Sequence, residues 1–253
     1  MNYRLRPFAA EHFAEITHRK LREHAGEERL VEMFLGVDGQ APPGVFIEVG
    51  ANDPVQYSQS YHLEQHGWRG LLVEPIPELC ERLRAQRPNS TVIQAACGSP
   101  QQVGMAQFHV AKAHGQSTLA PGEANVGVAF DRVMDVQVRT LDQIIDEAQL
   151  GRLDFISIDV EGVQMDVLQG FDLQRHRPRL LLMEDHLHDL KTHRYITSTG
   201  YRLVKRTGLN NWYIPAEDRC ELTTFGERLA LRMKLLRTPL RSLQYAIKRA
   251  LTK

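Results

Sequence analysis

An apolar run that ends in an acid and a glycine constrains this chain more than any other feature. Residues 45–49 read VFIEV, and residues 50–53 read GAND. Val, Phe and Ile in succession are typical of a strand buried on both faces. Gly50 can adopt backbone angles closed to other residues, and it lets a ligand approach the main chain. The stretch therefore predicts a central strand that enters a tight ligand-binding turn.

A second strand of the same kind covers residues 70–75 and also ends in an acid, Glu74. In a doubly wound sheet, the glycine turn after the first strand receives the polar tail of a nucleoside cofactor. A carboxylate that ends the second strand accepts hydrogen bonds from both ribose hydroxyls. The pair predicts nucleoside recognition between Gly50 and Glu74. The alternative for Glu74 is an ordinary surface acid at a strand end.

Strands and helices alternate along much of the remaining chain, which indicates parallel strands joined by right-handed crossovers. A third strand over 91–98 ends in the small residues Ala95 and Ala96, where a flat adenine ring could lie against the backbone. Further strands are predicted at 153–159, 179–183, and in a final antiparallel pair at 201–205 and 212–214.

The pattern weakens between Gly98 and Asp135, where only residues 106–110 indicate a strand. Residues 114–118, which include Ser117 and Thr118, are interpreted as ordinary loop residues. A long loop region inside a compact domain is more often functional than idle, so this region is the expected binding site of the acceptor.

Length and composition limit the possible folds of the chain and its cellular compartment. A chain of 253 residues can bury one sizeable core, so we expect one α/β domain at 41–218, a helical extension at 1–40 and a basic helical segment at 219–253. The balance of 31 basic and 31 acidic residues argues against a general nucleic-acid binder. Three cysteines without metal-ligand spacing, and no membrane-span or signal-peptide pattern, lead us to expect a soluble cytoplasmic protein.

Several short motifs occur along the chain in a fixed order: EVGAN at 48–52, EP at 74–75, TLD at 140–142, IDVEG at 158–162 with VLQG at 167–170, and GY at 200–201. In order and spacing they resemble the FkbM-type methyltransferases, and the resemblance covers residues 27–215. The resemblance implies a class I methyltransferase fold, a Rossmann-like doubly wound sheet that is mostly parallel with a reversed C-terminal hairpin. It also implies methyl transfer from S-adenosylmethionine, usually to oxygen, on a sugar, glycan, lipid-linked or natural-product acceptor. Two residues depart from the family pattern: Glu48 stands where Asp is more frequent, and Pro54 where glycine is often found.

The residues expected to bind the cofactor lie at predicted strand ends. Glu48 is assigned to the amino-acid portion of the cofactor or to its local backbone, and Glu74 to the ribose. Asn52 has the alternative role of satisfying backbone groups of its own turn. The full expected set is Glu48, Gly50, Ala51, Asn52, Glu74, Pro75, Ala95, Ala96 and Asp159.

Carboxylates and a histidine follow the two strands predicted at 153–159 and 179–183. Asp159 and His186 are the candidate bases for removing the acceptor proton. Asp159, Glu184 and Asp185 resemble the acids that hold a divalent metal in sugar and catechol O-methyltransferases of this fold, and hard oxygen ligands suit Mg²⁺. In the alternative, Asp159 faces the cofactor while the other two cap a strand or hold His186. Glu161 and Gly162 belong to the motif at 158–162, and the equal alternative for them is a helix cap and turn.

The segment 226–253 has eight basic residues against one acid, Glu227, a net charge of +7. Its apolar residues recur every three or four positions, which predicts an amphipathic helix pair divided at Thr238 and Pro239. Such a pair could contact an anionic membrane on its inner face as a peripheral element. The alternative is that the apolar face docks on the domain or on a second subunit of a homo-oligomer.

Two other classes of protein compete with a methyltransferase. The first is a nucleotide-sensing or scaffold protein that has kept a Rossmann-like domain without catalysis. The second is a nicotinamide-dependent oxidoreductase, but the turn at 50–53 contains one glycine where the dinucleotide fingerprint needs three.

Overall fold

The computed structural model describes residues 19–37, 42–112, 114–121, 127–185, 187, 190–218 and 224–251. Within these residues the strands, in chain order, are β1 Val45–Val49, β2 Arg69–Glu74, β3 Ser90–Gln94, β4 Ala96–Cys97, β5 Gly104–Ala111, β6 Phe130–Arg139, β7 Phe155–Ile158, β8 Leu180–Glu184, β9 Tyr201–Thr207 and β10 Asn210–Pro215. The α-helices are α1 Arg19–Leu35, α2 Tyr61–Gln65, α3 Pro77–Gln86, α4 Leu141–Glu147, α5 Gln164–Gln169, α6 Leu173–His176, α7 Lys191–Ser198 and α8 Phe225–Leu251.

Seven strands form the main sheet in the order β3-β2-β1-β7-β8-β10-β9. The pairs among β3, β2, β1, β7 and β8 are all parallel, and β10 runs antiparallel to both β8 and β9. The doubly wound sheet with a reversed C-terminal hairpin is therefore confirmed. The strand order reverses beside β1, and ligands bind at such a switch point in open α/β sheets.

β1 lies at the centre of this sheet and is buried on both faces. Phe46 packs with Trp68 and Leu72 on one face. Ile47 and Val49 pack on the other face, as the two-residue period of a strand requires. Because helices cover both faces, an apolar run without alternation is the stable sequence for this strand.

The N-terminal helix α1 packs on the main sheet. Its apolar residues Val31, Phe34 and Leu35 are buried in the same cluster as Trp212. The buried Glu27 carboxylate accepts hydrogen bonds from Asn210 Nδ2 at 2.6 Å and from Trp212 Nε1 at 3.2 Å. Helix α1, which belongs to the N-terminal extension predicted at 1–40, thus shares a buried cluster with the main sheet.

A second, three-stranded sheet has the order β4-β6-β5, and its long antiparallel hairpin, β5 with β6, is called the arm below. The prediction of a single strand over 91–98 is wrong, because β3 ends in the main sheet and β4 joins the arm. The strand predicted at 106–110 lies within β5, but its pairing with β6, which begins at Phe130, was not predicted. Several arm side chains are exposed, including Met105 at 70% and Val133 at 50%.

The C-terminal helix α8 is a single helix that continues through Pro239. The prediction of two helices divided at this proline is therefore wrong. Thr238 Oγ1 donates a hydrogen bond to the Lys234 carbonyl at 2.9 Å, one turn before the proline. Across the described residues, no helix combines the length and apolar character that crossing a membrane requires.

Candidate active site

A cleft of about 610 Å³, including its open mouth, lies at the carboxyl ends of β1, β2 and β7. The main sheet contributes the floor, and the arm contributes the facing wall. The predicted site residues that line the cleft are Gly50, Asn52, Glu74, Pro75, Ala95, Ala96 and Asp159.

The turn after β1 depends on glycine at position 50. Gly50 has φ +83°, in the left-handed region, and a Cβ at this position would lie 1.9 Å from the Asp159 carbonyl oxygen. The turn is fixed from the other side because the Gly50 and Ala51 amides both donate to the Val73 carbonyl, at 2.9 and 3.2 Å. Ala51 is buried, whereas Asn52, with φ +47°, lines the cleft.

Glu74 ties this turn to the end of β2. Its Oε2 accepts a hydrogen bond from the Asn52 amide, and its Oε1 accepts one from the Ile76 amide, both at 2.9 Å. Burial raises the pKa of Glu74 to about 7 although both backbone hydrogen bonds oppose the shift. A carboxylate has about four acceptor sites, so two remain for donors in the cleft. The structure thus leaves Glu74 able to accept ribose hydroxyls.

Glu48 is buried beneath the turn and is not among the residues that line the cleft. Its carboxylate accepts hydrogen bonds from Ser58 Oγ at 2.8 Å, Ser60 Oγ at 2.5 Å and the Gln59 amide at 2.7 Å. Arg87 Nη1 lies 4.0 Å from the same carboxylate. Of its two predicted roles, these contacts match the one on local backbone, and they hold the segment before α2 against β1.

Arg87 also supports the segment that contains Pro54, one of the departures from the family pattern. The buried guanidinium donates from Nη1 to the Pro54 carbonyl at 3.1 Å and from Nε to the Glu64 carboxylate at 2.5 Å. These hydrogen bonds satisfy donors of the buried guanidinium. The segment with Pro54 is therefore supported by a hydrogen bond to its backbone, outside the cleft.

Three carboxyl groups meet around the end of β7, and two of them, Asp159 and Glu161, line the cleft. One oxygen each from Asp159, Glu161 and Glu184 lies within 4.8 Å of the other two. Asp185, expected in this group, is not part of it, because its Oδ1 accepts a hydrogen bond from the Leu187 amide at 2.7 Å. Glu161 holds the third position instead. We call Asp159, Glu161 and Glu184 the acidic cluster.

Burial and neighbouring carboxyl groups raise the pKa of two members of the acidic cluster, Asp159 and Glu161. Asp159 is exposed toward the cleft, but the cleft walls surround its carboxyl. This burial and the neighbouring Glu184 carboxyl raise the pKa of Asp159 well above its ordinary value. Burial, with a further contribution from Glu184, raises the pKa of Glu161 to about 7. Glu161 can therefore exchange a proton near neutral pH, and the carboxyl groups of the acidic cluster suit acid–base chemistry or a bound cation.

The turn that presents Glu161 is held by the arm. Glu161 and Gly162 both have left-handed backbone angles, with φ +47° and +100°. The buried Thr118 donates from Oγ1 to the Glu161 carbonyl at 3.1 Å. In the sequence, Glu161 stands two residues after Asp159. This position fits both a cleft residue and a helix cap, so the sequence did not distinguish the two roles.

The arm contributes five cleft residues that were not among the predicted site residues. They are Phe108, His114, Gly115, Ser117 and Leu119. Ser117, expected to be an ordinary loop residue, also accepts a hydrogen bond from the Ala111 amide through its Oγ at 2.9 Å. His186, the predicted base, lies outside the described residues and stays a prediction.

Comparison with known proteins places the chain in context. The family model for the methyltransferase FkbM domain matches residues 48–203. No match is found among curated proteins. Among the solved structures that match is the precorrin-6y C5,15-methyltransferase from Geobacter metallireducens GS-15. It is 11% identical, the alignment covers 79% of this chain and 89% of that chain, and the TM-score is 0.37.

Proposed function

Because this chain belongs to the methyltransferase FkbM family, we propose that it transfers a methyl group from S-adenosylmethionine to a hydroxyl oxygen. The acceptor class that the family resemblance suggests is a sugar, glycan, lipid-linked or natural-product scaffold. The observation that supports oxygen as the acceptor atom is the acidic cluster, two members of which, Asp159 and Glu161, line the cleft. A hydroxyl must lose its proton during transfer, and this cluster can receive it.

The residues that would hold the cofactor follow from the lining of the cleft. Gly50 and Asn52 form the turn beside its amino-acid portion, Glu74 accepts from the ribose hydroxyls, and Ala95 and Ala96 leave room for the adenine ring. The bound cofactor supplies an electrophilic methyl carbon on a sulfonium. The protein's contribution is then to align the acceptor oxygen with that carbon and to take up the proton.

Within the acidic cluster, Glu161 is the best matched to receive the proton. A general base works best when its pKa is near the working pH, and the pKa of Glu161 is raised to about 7. Asp159 and Glu184 lie close enough to share the incoming proton. His186, the other base expected from the sequence, can be tested separately by a His186→Gln variant.

The test of this function is transfer of labelled methyl groups to fractionated cell extract. Glu161→Gln should lower the rate by about 10²–10⁴-fold, the usual contribution of a general base, while S-adenosylmethionine still binds. Glu81→Gln, a change to an exposed acid on α3, is the matched control and should transfer normally. Wild-type protein that binds the cofactor but labels no fraction would instead favour the non-catalytic alternative.

The acidic cluster also has the ligand chemistry of a Mg²⁺ site, with Glu161 in place of Asp185. Hard carboxylate oxygens suit this cation, which when bound lowers the pKa of an acceptor hydroxyl. We expect activity to persist after chelation and dialysis, because Glu161 can receive the proton without a metal. Activity that is lost on chelation and restored by Mg²⁺ would assign the acidic cluster to metal binding and leave His186 as the candidate base.

A further inference from the structure

Helix α8 presents a row of large apolar side chains to solvent. The exposed fractions are 74% for Phe225, 52% for Leu229, 40% for Met233, 71% for Leu236 and 63% for Leu240. These residues recur every three or four positions, so they lie along one face of the helix. We call them the apolar row. An exposed, continuous apolar strip of this kind is typical of an interaction surface.

The apolar row is not the face by which α8 contacts the rest of its own chain. Leu231, Lys234 and Leu235 are half-buried and Thr238 is buried, and these four residues lie on the opposite side of the helix. At the start of α8, Lys205 Nζ on β9 forms an ion pair with Glu227 at 2.9 Å. The helix is therefore attached to the domain through one face while the apolar row points away.

The charges beside the apolar row select the kind of partner. Arg232 and Arg237 are exposed and lie on its two flanks. The sequence from 226 to 253 carries a net charge of +7, and its single acid, Glu227, already pairs with Lys205. A second copy of this helix would bring arginines against arginines, without the acidic partners that stabilise paired helices. Phosphate headgroups would neutralise both flanks.

We propose that α8 docks this protein on an anionic membrane surface. The apolar row enters the boundary between headgroups and acyl chains, and the flanking arginines bind lipid phosphates. The spacing of the apolar row continues in the sequence at Leu243, Ile247 and Leu251, and the 27-residue helix is roughly 40 Å long. This proposal concerns a surface outside the cleft, so it does not depend on the methyl transfer proposed above.

Flotation of the full chain with vesicles tests the proposal. The protein should float with vesicles of phosphatidylglycerol and phosphatidylcholine in equal parts but not with phosphatidylcholine alone, and high salt should weaken binding. Leu236→Asp should lower the partition coefficient at least about tenfold, because it removes one apolar anchor and adds a repelled charge. Ala230→Asp adds the same charge at an exposed position beside the apolar row, so it is the matched control and should bind more tightly than Leu236→Asp.

Three results would overturn the proposal. They are failure of the full chain to float with the anionic vesicles, equal flotation with neutral vesicles, and equal loss of binding in Leu236→Asp and Ala230→Asp. Light scattering identifies the main competing occupant, since a dimer that Leu236→Asp converts to a monomer, without any flotation, would assign the apolar row to a second copy. Urea unfolding of both variants shows that the domain remains folded, which keeps each result interpretable.

Discussion

The two walls of the cleft are built in different ways. The wall on the cofactor side comes from strand ends of the main sheet, where Gly50 touches the end of β7 and Glu74 ties two backbone amides together. The wall on the acceptor side comes from the arm, which pairs with the rest of the fold through the two-residue strand β4. The first wall is fixed by backbone contacts, whereas the second packs on the domain through an apolar cluster of side chains that includes Phe108, Ile76 and Leu79.

This difference suggests a division of labour between the walls. A cofactor that never changes is best held by strand ends that the core packing already fixes. An acceptor that differs between related enzymes is best met by a surface hairpin, because exposed side chains there can change without cost to the core. The division predicts that changes on the cofactor side affect stability and cofactor binding, while changes on the arm affect the acceptor.

The largest difference in the free energy of unfolding should come from replacing one glycine on each wall with alanine. Gly50→Ala would place Cβ 1.9 Å from a backbone oxygen at φ +83°, so it should lower the free energy of unfolding by about 3 kcal/mol or more. In Gly115→Ala on the arm side, Cβ meets only the Asn52 Nδ2 atom at 3.2 Å, and this side-chain end can move.

Urea unfolding measures both variants. Gly115→Ala should cost less than about 1 kcal/mol, and Gly151→Ala, with no atom within 4 Å of its Cβ, should be within about 0.5 kcal/mol of wild type. Equal destabilisation by Gly50→Ala and Gly115→Ala would show that both walls are equally rigid and would remove the basis of the comparison.

The next effect concerns binding on the cofactor side. Glu74→Ala removes the acceptor for the ribose hydroxyls, so it should weaken S-adenosylmethionine binding by about 1.5–3 kcal/mol, the range for hydrogen bonds to a charged group. Calorimetry measures the affinity, and unfolding of the same variant corrects for the lost hydrogen bonds to Asn52 and Ile76. Glu81→Ala, on the exposed surface of α3, is the control. Unchanged affinity in a folded Glu74→Ala protein would reject the ribose assignment.

The same contrast explains which features could be predicted from the sequence. Gly50 and Glu74 follow strands that are continuous apolar runs, and parallel neighbours bring their carboxyl ends together, so local pattern was sufficient. The strand at 106–110 could be predicted, but its pairing with β6 could not, because the two strands pair across a long connection and expose residues such as Met105.

The acidic cluster was predicted only in part for a related reason. Glu161 and Asp185 both follow a core strand closely, and the sequence favoured Asp185. The left-handed φ of +47° at Glu161 turns its carboxyl toward Asp159, whereas Asp185 is held by the Leu187 amide. The backbone conformation of the two turns decides which of these two acids joins the acidic cluster. The periodicity of the sequence does not indicate that conformation.

The smallest predicted effect comes from the hydrogen bond that joins the walls. Thr118→Val keeps the shape of a buried side chain but removes the hydroxyl that donates to the Glu161 carbonyl. We expect a loss of about 1 kcal/mol in the free energy of unfolding and a rise of about fivefold in KM for the acceptor, because the arm is held less firmly. Affinity for S-adenosylmethionine, measured by calorimetry, should not change, and Thr91→Val on the exposed edge of β3 should alter none of these quantities. Equal losses for cofactor and acceptor would mean that Thr118 couples the two walls into one unit, so that the arm contributes to cofactor binding as well.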